Sequence, residues 1–428
     1  MYRLIYLAAL WALVPAAAFF LILCALFSRF LGMRKAKPRL VWGSEPIINN
    51  KYWSQAMKLA GYESSTYTVN YYDSINKRSD WDRVLSDEFS GIPYAFKLIM
   101  AFAISLFRYD VFFIGFNGYF IGNTPIWRIQ AFIFRLARKQ TVLIPFGSDF
   151  FVYKRIRSTS LIHGLLLSYP LAARRQDRIA AQLDYWVRYA DVVLPGMMGP
   201  DGSGRWDVLA PSNLCIDLSL WKSSQRNSKA NGKNGTVYIA HAPNHRGFKG
   251  SEFVIEAVRR LSEEGLSVEL ILLEKVQNEV VRQQLRENAD ILVEQIIATG
   301  HGFSAVEGMA SGLAVISNLE DTSYTLPLRR WSFLDECPIA SASPETLQDV
   351  LKKLITRPLL RKELGKAGRV YVEKYHSFKT AQHLFQSILS YMNGQDVNLL
   401  DLYHPIKGEY PKSLPKVEHP LRNNRIVD

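Results

Sequence analysis

Short apolar runs alternate with helical patterns along most of this chain, and a polar stretch at residues 223–235 splits the series in two. Before it, strands are expected at 39–42, 66–70, 111–116, 141–145 and 192–195, with helices at 51–60, 125–138 and 178–189. After it the series restarts, with strands at 236–240, 267–273, 290–293 and 313–317. Helices are expected there at 251–263, 276–287, 344–355, 359–375 and 378–392, with a short one around Glu307. Such alternation encodes a parallel sheet covered on both faces. Repeated on either side of a flexible linker, it predicts an α/β protein of two doubly wound, Rossmann-like domains, residues 39–222 and 236–392. Ligands bind such sheets at the carboxyl ends of the strands, so a cleft between the facing domains is the default site. Residues 393–428, rich in Pro, Lys and Asn, show no regular element.

A different kind of segment precedes both domains. No charge occurs between Arg3 and Arg29, and residues 4–27 are almost wholly apolar. That suffices for a transmembrane helix, which needs roughly 20 residues, and Pro15 can kink such a helix without excluding it. A cleaved signal peptide competes, given the small residues Ala16, Ala17 and Ala18, but its apolar core is typically only about 7–15 residues. Arg29, Arg34, Lys35, Lys37 and Arg39 crowd the C-terminal flank. The positive-inside rule then gives a single-pass protein of the inner or plasma membrane with its soluble domains in the cytoplasm. Two more segments are candidates for membrane contact. Residues 98–107 are apolar but too short to span, and 126–139 mix Trp127, Phe132 and Phe134 with Arg128, Arg135, Arg138 and Lys139. The second pattern suits an interfacial helix, and both patterns also suit packing helices of an α/β domain.

Composition narrows the partners. A chain of 428 residues, 48% hydrophobic and 21% charged, is a folded protein of more than one domain. Its net charge of +13 calls for an acidic partner. No nucleic-acid module is present, which favours lipid and nucleotide diphosphate over nucleic acid. Cys24, Cys215 and Cys337 have no CxxC or His-spaced partner, so neither a disulfide framework nor a zinc site is supported.

The chemistry concentrates in Gly300-His-Gly-Phe-Ser-Ala-Val-Glu307-Gly-Met-Ala-Ser-Gly312, followed by an apolar strand. Glycines let the loop approach a ligand, and the helix start offers unpaired N–H groups to an anion. A carboxylate on that helix can accept hydrogen bonds from hydroxyls of the same ligand, and a phosphate plus a diol describes a sugar nucleotide. After the first strand of the second domain stands His241-Ala-Pro-Asn-His-Arg246-Gly-Phe-Lys249-Gly. Two cations on a glycine-containing strand-to-helix loop make a niche for a diphosphate. In the first domain the strand at 141–145 runs into Phe146-Gly147-Ser148-Asp149. Asp149 either orients an acceptor hydroxyl and shares its proton or caps the segment that follows. Glu45, after the first strand, is a lesser candidate of the same kind.

These residues resemble the retaining glycosyltransferases of the GT-B architecture, the large group 1 (family 4-like) set. The likeness is strongest from Thr236 to Tyr375, in "HAPNHRGFKGSEFVIEAVRRL", "GFSAVEGMASGLAVISN", "CPIASASPETLQDVL" and "ELGKAGRVYVEKYHSFKTA". The resemblance implies a nucleotide-sugar donor on the second domain and an acceptor on the first. Lys249 matches the lysine that neutralises the donor diphosphate, and Glu307 the glutamate that holds the ribose hydroxyls. Gly302, Phe303 and Ser304 match the loop against sugar and phosphates, with His241 counted among the donor-binding positions. Arg246 is offset from the family's usual arginine. Thr299 stands where the family's first glutamate would be, also among the donor-binding positions, and Phe146 where a histidine is common. Catalysis would then fall to Lys249 and Arg246 on the leaving diphosphate, the largest expected term, with Asp149 on the acceptor side. No metal and no cofactor besides the donor substrate are expected, since no Asp-x-Asp pair stands in a plausible place. The expected function is sugar transfer, with retention, to a glycan or lipid-linked, membrane-proximal acceptor in envelope polysaccharide synthesis. A catalytically silent nucleotide-sugar-binding or scaffold protein and a GT-B-fold sugar-nucleotide epimerase are the alternatives.

Overall fold

Six parallel strands form the first sheet, in the order β3-β2-β1-β4-β5-β6. They are β1 (Leu40–Ser44), β2 (Ser64–Thr68), β3 (Arg83–Val84), β4 (Val111–Ile114), β5 (Gln140–Leu143) and β6 (Val192–Val193). Five more, β7 (Val237–His241), β8 (Val268–Leu272), β9 (Ile291–Val293), β10 (Ala314–Ser317) and β11 (Ala340–Ser341), form a second parallel sheet. Its order is β11-β10-β9-β7-β8. Central strands such as β1, β4 and β10 are buried along their whole length, as expected where helices cover both faces. The computed structural model describes residues 2–31, 36–73, 76–196, 202–224, 226 and 229–427.

The first domain carries α1 (Tyr2–Leu31), α2 (Ile48–Leu59), α3 (Tyr94–Arg108), α4 (Gln130–Leu136), α5 (Thr159–Ser168), α6 (Pro170–Ala173) and α7 (Gln176–Tyr189). The second carries α8 (Arg246–Lys249), α9 (Ser251–Glu263), α10 (Asn278–Glu287), α11 (Phe303–Ala310), α12 (Thr322–Trp331), α13 (Leu347–Thr356) and α14 (Pro358–Tyr375). Their inner faces follow helical spacing. In α9 the buried residues are Val254, Ala257, Val258 and Leu261, and in α13 Leu347, Leu351, Leu354 and Ile355.

The final long helix, α15 (Phe378–Met392), crosses back to the first domain and lies on α2. Phe385 packs edge-on against Trp42 and Phe113, whose rings stack at 3.8 Å, and Gln382 donates to the Ala56 carbonyl. So α15 belongs spatially with the domain that opens the chain.

Several expectations are corrected. The helix expected over 125–138 is broken into a turn at Trp127–Ile129 and α4. Its Trp127 and Phe134 are buried and Lys139 pairs with Asp110, leaving Phe132 as its exposed aromatic ring. Residues 98–107 follow the packing alternative and form part of α3, whose buried face includes Leu98, Phe102 and Leu106. The tail holds a short helix, α16 (Glu409–Lys412), and a hairpin of β12 (Leu421–Arg422) and β13 (Arg425–Ile426). It is tied down where Lys374 and the Val417 N–H share Glu336. Within the expected linker, Ser224 bonds the Ser311 and Arg286 carbonyls and Arg226 pairs with Asp290. Gln225, Asn227 and Ser228 lie outside the described residues, as do Arg34 and Lys35 of the basic flank.

By length and composition, α1 can cross a membrane over Val14–Leu31. Leu21 and Ala25 are buried and the Ser28 hydroxyl donates to the Leu106 carbonyl on α3, while Phe19, Phe27, Phe30 and Leu31 are exposed.

Candidate functional site

The strand order reverses between β1 and β4 in the first sheet and between β7 and β9 in the second. Loops leaving those strands diverge and open a crevice at their carboxyl ends. A cavity of about 320 Å³ lies there between the domains, lined by Glu45, Gly115 and Phe146 from one and by His245, Lys249 and Gly302–Ser304 from the other. One flank is closed by α5, where the Phe248 N–H donates to Ser168 Oγ at 2.9 Å and Gly247 abuts Leu167.

On the second-domain side, α11 begins at Gly302, which has no side chain to cap the first turn, while the Glu294 carboxylate accepts from the Gly302 N–H itself. Its leading N–H groups, from Phe303 and Ser304, therefore meet the cavity with the positive end of the helix behind them. Lys249 reaches the same place from α8, which ends at Gly250 in the left-handed conformation, φ +75°. A Cβ on Gly250 would stand 3.1 Å from Ile297, so the turn needs glycine twice over. Lys249 is buried, and its Nζ donates to the Glu294 carboxylate and to Gln295 Oε1 at 3.0 Å. Glu294 in turn accepts from the Gly302 N–H and the Ser317 hydroxyl, both at 3.1 Å. The cation is thus locked to the start of α11, but a carboxylate already balances its charge.

Glu307 is buried one turn further along α11 and does not line the cavity. Asn278 Nδ2 donates to its Oε1 at 2.6 Å, and its other oxygen takes no hydrogen bond among the described residues. Burial pushes its carboxyl up to about 8, against the pull of Asn278. Tyr52 of α2 stacks on Phe303 at 5.9 Å, a contact that bridges the domains beside Glu307.

On the first-domain side, Asp149 is buried, its two oxygens taken by the N–H groups of Phe116 (2.8 Å), Phe146 and Gly147 (both 3.0 Å). Burial pushes its carboxyl up to about 7 while those three donors draw it down. It shapes the loops after β4 and β5 and does not line the cavity, whereas the neighbouring Phe146 ring does. Glu45 does line it, with burial raising its carboxyl and Asn117 opposing the shift.

Three other sequence-selected residues sit apart from the cavity. Arg246 is exposed and bridges Glu252 and Glu274, each at 2.8 Å. His241 is fully buried at the end of β7, bonded to the Val293 carbonyl and Ser251 Oγ, and burial lowers it to about 4. Thr299 is half-buried in the loop before Gly300 and does not line the cavity. Glu294, Gln295, Asn278 and Tyr52 were not selected from sequence. Glu294 carried a usable signal, being a carboxylate directly after a wholly apolar strand.

No family model matches the chain, and no curated protein matches it in sequence. Solved structures do. Sucrose-phosphate synthase from Thermosynechococcus elongatus superposes over 84% of this chain and 100% of its own with a TM-score of 0.53 and 13% identity. An alpha-glucosyltransferase, solved with UDP and a 13-mer DNA containing an A:G mismatch, covers 83% of this chain and 100% of its own at TM-score 0.54 and 11% identity. At such identity the likeness concerns the fold, and the fold is the two-domain GT-B arrangement.

Proposed function

We propose that the protein is a glycosyltransferase that moves a sugar, with retention, from a nucleoside-diphosphate donor to a lipid-linked or membrane-proximal acceptor in envelope glycan synthesis. One observation carries the reading. The glycine-led start of α11, Lys249 and a buried Glu307 with one oxygen unbonded among the described residues are grouped at the carboxyl edge of the second sheet. That set complements a diphosphate followed by a ribose diol. In this reading the diphosphate lies against the Phe303 and Ser304 N–H groups and the ribose reaches Glu307 as the domains part at Tyr52.

The acceptor oxygen then bonds to the anomeric carbon on the face from which the diphosphate departs. The bond from that carbon to the phosphate oxygen breaks, and the acceptor's proton goes to the departing oxygen. Lys249 and the helix start stabilise the charge that develops there. Arg246 joins them only by leaving Glu252 or Glu274, and Asp149 serves as a positioning residue through the Phe146 loop. His241 supports the β7 end from beneath, and Thr299 sets the entry to the glycine loop. The helix α1 and its basic flank support a single membrane span with both domains on the cytoplasmic side.

The balance of Lys249 by Glu294 favours one second reading, in which donor binds and no transfer follows. Thermal shift with a panel of UDP-, GDP- and dTDP-sugars, then incubation of the stabilising donor in radiolabelled form with membrane lipids, tests both. Stabilisation with label entering lipid supports transfer, and stabilisation alone supports silent binding. If no nucleotide sugar stabilises the protein, both readings fall.

A further inference from the structure

A second cavity, of about 660 Å³, adjoins the interdomain one. Its walls are α1 from Val14 to Phe20, the first half of α3, and the turn at 117–126. Phe20 and Phe96 line it and are exposed, which marks its mouth. Glu45 lines both this cavity and the donor cleft. The lining is mostly hydrocarbon and aromatic, with Ala17, Leu98 and Ile99 among it, and its polar members include Asn117, Asn123 and Thr124.

Its size is that of a ligand site, roughly 300–1,000 Å³, and apolar walls give water few partners. Among the described residues, the wall-forming helix α1 is the one long and apolar enough to cross a membrane, so one wall of the cavity is of lipid-compatible composition. More exposed apolar side chains, Phe19 and Phe27 on α1 and Phe107 on α3, stand on the same two helices. Glu45 has no cation partner among the described residues, and its neighbours are Asn117, Tyr72 and Tyr94. A carboxylate in that setting is served by a hydroxyl donor. The two cavities share one polar residue at their junction, which is where a reacting head group has to sit if its tail lies in one and its partner in the other.

We propose that this cavity holds the hydrocarbon chain of the membrane-lipid acceptor, entering past Phe20 and Phe96, with the head-group hydroxyl received by Glu45 at the donor cleft. The proposal rests on the transferase reading and names its acceptor side. The site selects a lipid by its chain, and each methylene placed in the cavity raises affinity about fourfold.

The test uses the full chain in lipid nanodiscs and a diazirine-tagged farnesol as probe, with cross-links mapped by mass spectrometry. Label is expected on the peptides spanning residues 14–20, 94–100 and 117–126. Ile99→Trp, which fills the cavity, should cut that labelling by about tenfold, the equivalent of losing one or two buried methylenes. Ala95→Trp, nearer the mouth, gives the same readout if Ile99→Trp does not fold. The same variants are tested for stabilisation by the nucleotide-sugar panel. Loss of label with donor stabilisation intact supports the acceptor site. Label spread evenly over the exposed aromatics, or undiminished in both filled variants, overturns it and leaves the donor reading standing. Absence of donor stabilisation in the wild type would sink the donor reading, while the cross-link map still decides the cavity.

Discussion

Replacing Lys249 by methionine leaves the Glu294 carboxylate buried opposite a hydrocarbon chain, with only the Gly302 N–H and the Ser317 hydroxyl still donating to it. Removing one partner of a buried pair costs about 3–5 kcal/mol, most of it the burden of the charge left behind. A variant meant to probe catalysis therefore also weakens the fold. The double variant Lys249→Met with Glu294→Gln removes both charges and keeps an acceptor oxygen for Gly302 and Ser317. Its stability should return to the wild-type level or above it. Chemical denaturation of the wild type, both single variants and the double variant closes the cycle and isolates the coupling. Donor affinity is then measured by calorimetry on the folded double variant. If Lys249 also binds the diphosphate, losing its charged hydrogen bond costs about 1.5–3 kcal/mol, or roughly 10–150-fold in Kd. A wild-type denaturation midpoint for Lys249→Met alone would refute the ion-pair argument. An unchanged donor Kd in the double variant would remove Lys249 from the site.

With its carboxyl pushed up to about 8, Glu307 is largely protonated at neutral pH. Ribose hydroxyls favour the ionised form, so donor binding should release a proton and tighten as pH rises toward 8. Calorimetry in buffers of different ionisation heat measures that release; it should vanish in Glu307→Gln, and its absence from the wild type sinks the ribose assignment. Asp149→Asn should cost about 1–3 kcal/mol at low pH, because the amide NH2 replaces one of two oxygens facing three N–H groups and leaves a buried donor unsatisfied. The Asp149 carboxyl is raised by folding to about 7, so its stabilising share is full below the unfolded value and lost as pH climbs through 7. The deficit of the Asn variant should therefore shrink with rising pH, and a deficit that grows contradicts the burial argument. Phe385→Ala, at a fully buried ring against Trp42 and Phe113, should cost about 3–5 kcal/mol in denaturant melts, and a loss below about 1 kcal/mol would show that α15 is not a clasp.

Periodicity made most of the architecture legible, because a doubly wound domain repeats one local pattern. The strands around Trp42, Phe113 and Val315 each stood out as an apolar run. What it could not show was β3 and β11, two residues each, whose pairing depends on a neighbour already in place. Nor could it orient the segment around Trp127, where mixed aromatic and basic residues fit lipid or core equally well. The tail lacked apolar runs because its anchors are isolated: Leu399, Tyr403, Val417 and Leu421 are buried singly, and the Val417 N–H and Asn424 add polar ties. At the site, Glu307 and Lys249 were visible from local chemistry. The partners that determine their charge were not, since Glu294 lies 45 residues from Lys249 and Asn278 lies 29 from Glu307 in sequence.

The return of α15 to the first domain has a consequence for how the protein is made. Trp42 and Phe113 leave the ribosome early, yet Phe385, which covers them, is among the last of the helical residues to emerge. The first domain thus waits with an open aromatic face while the second is synthesised, and its completion comes last. During that interval the chain carries an unfinished surface, the state in which exposed apolar patches aggregate. A product that stops short of α15 keeps that aromatic face open, so the finish of the N-terminal half depends on the C-terminal end of the helical series.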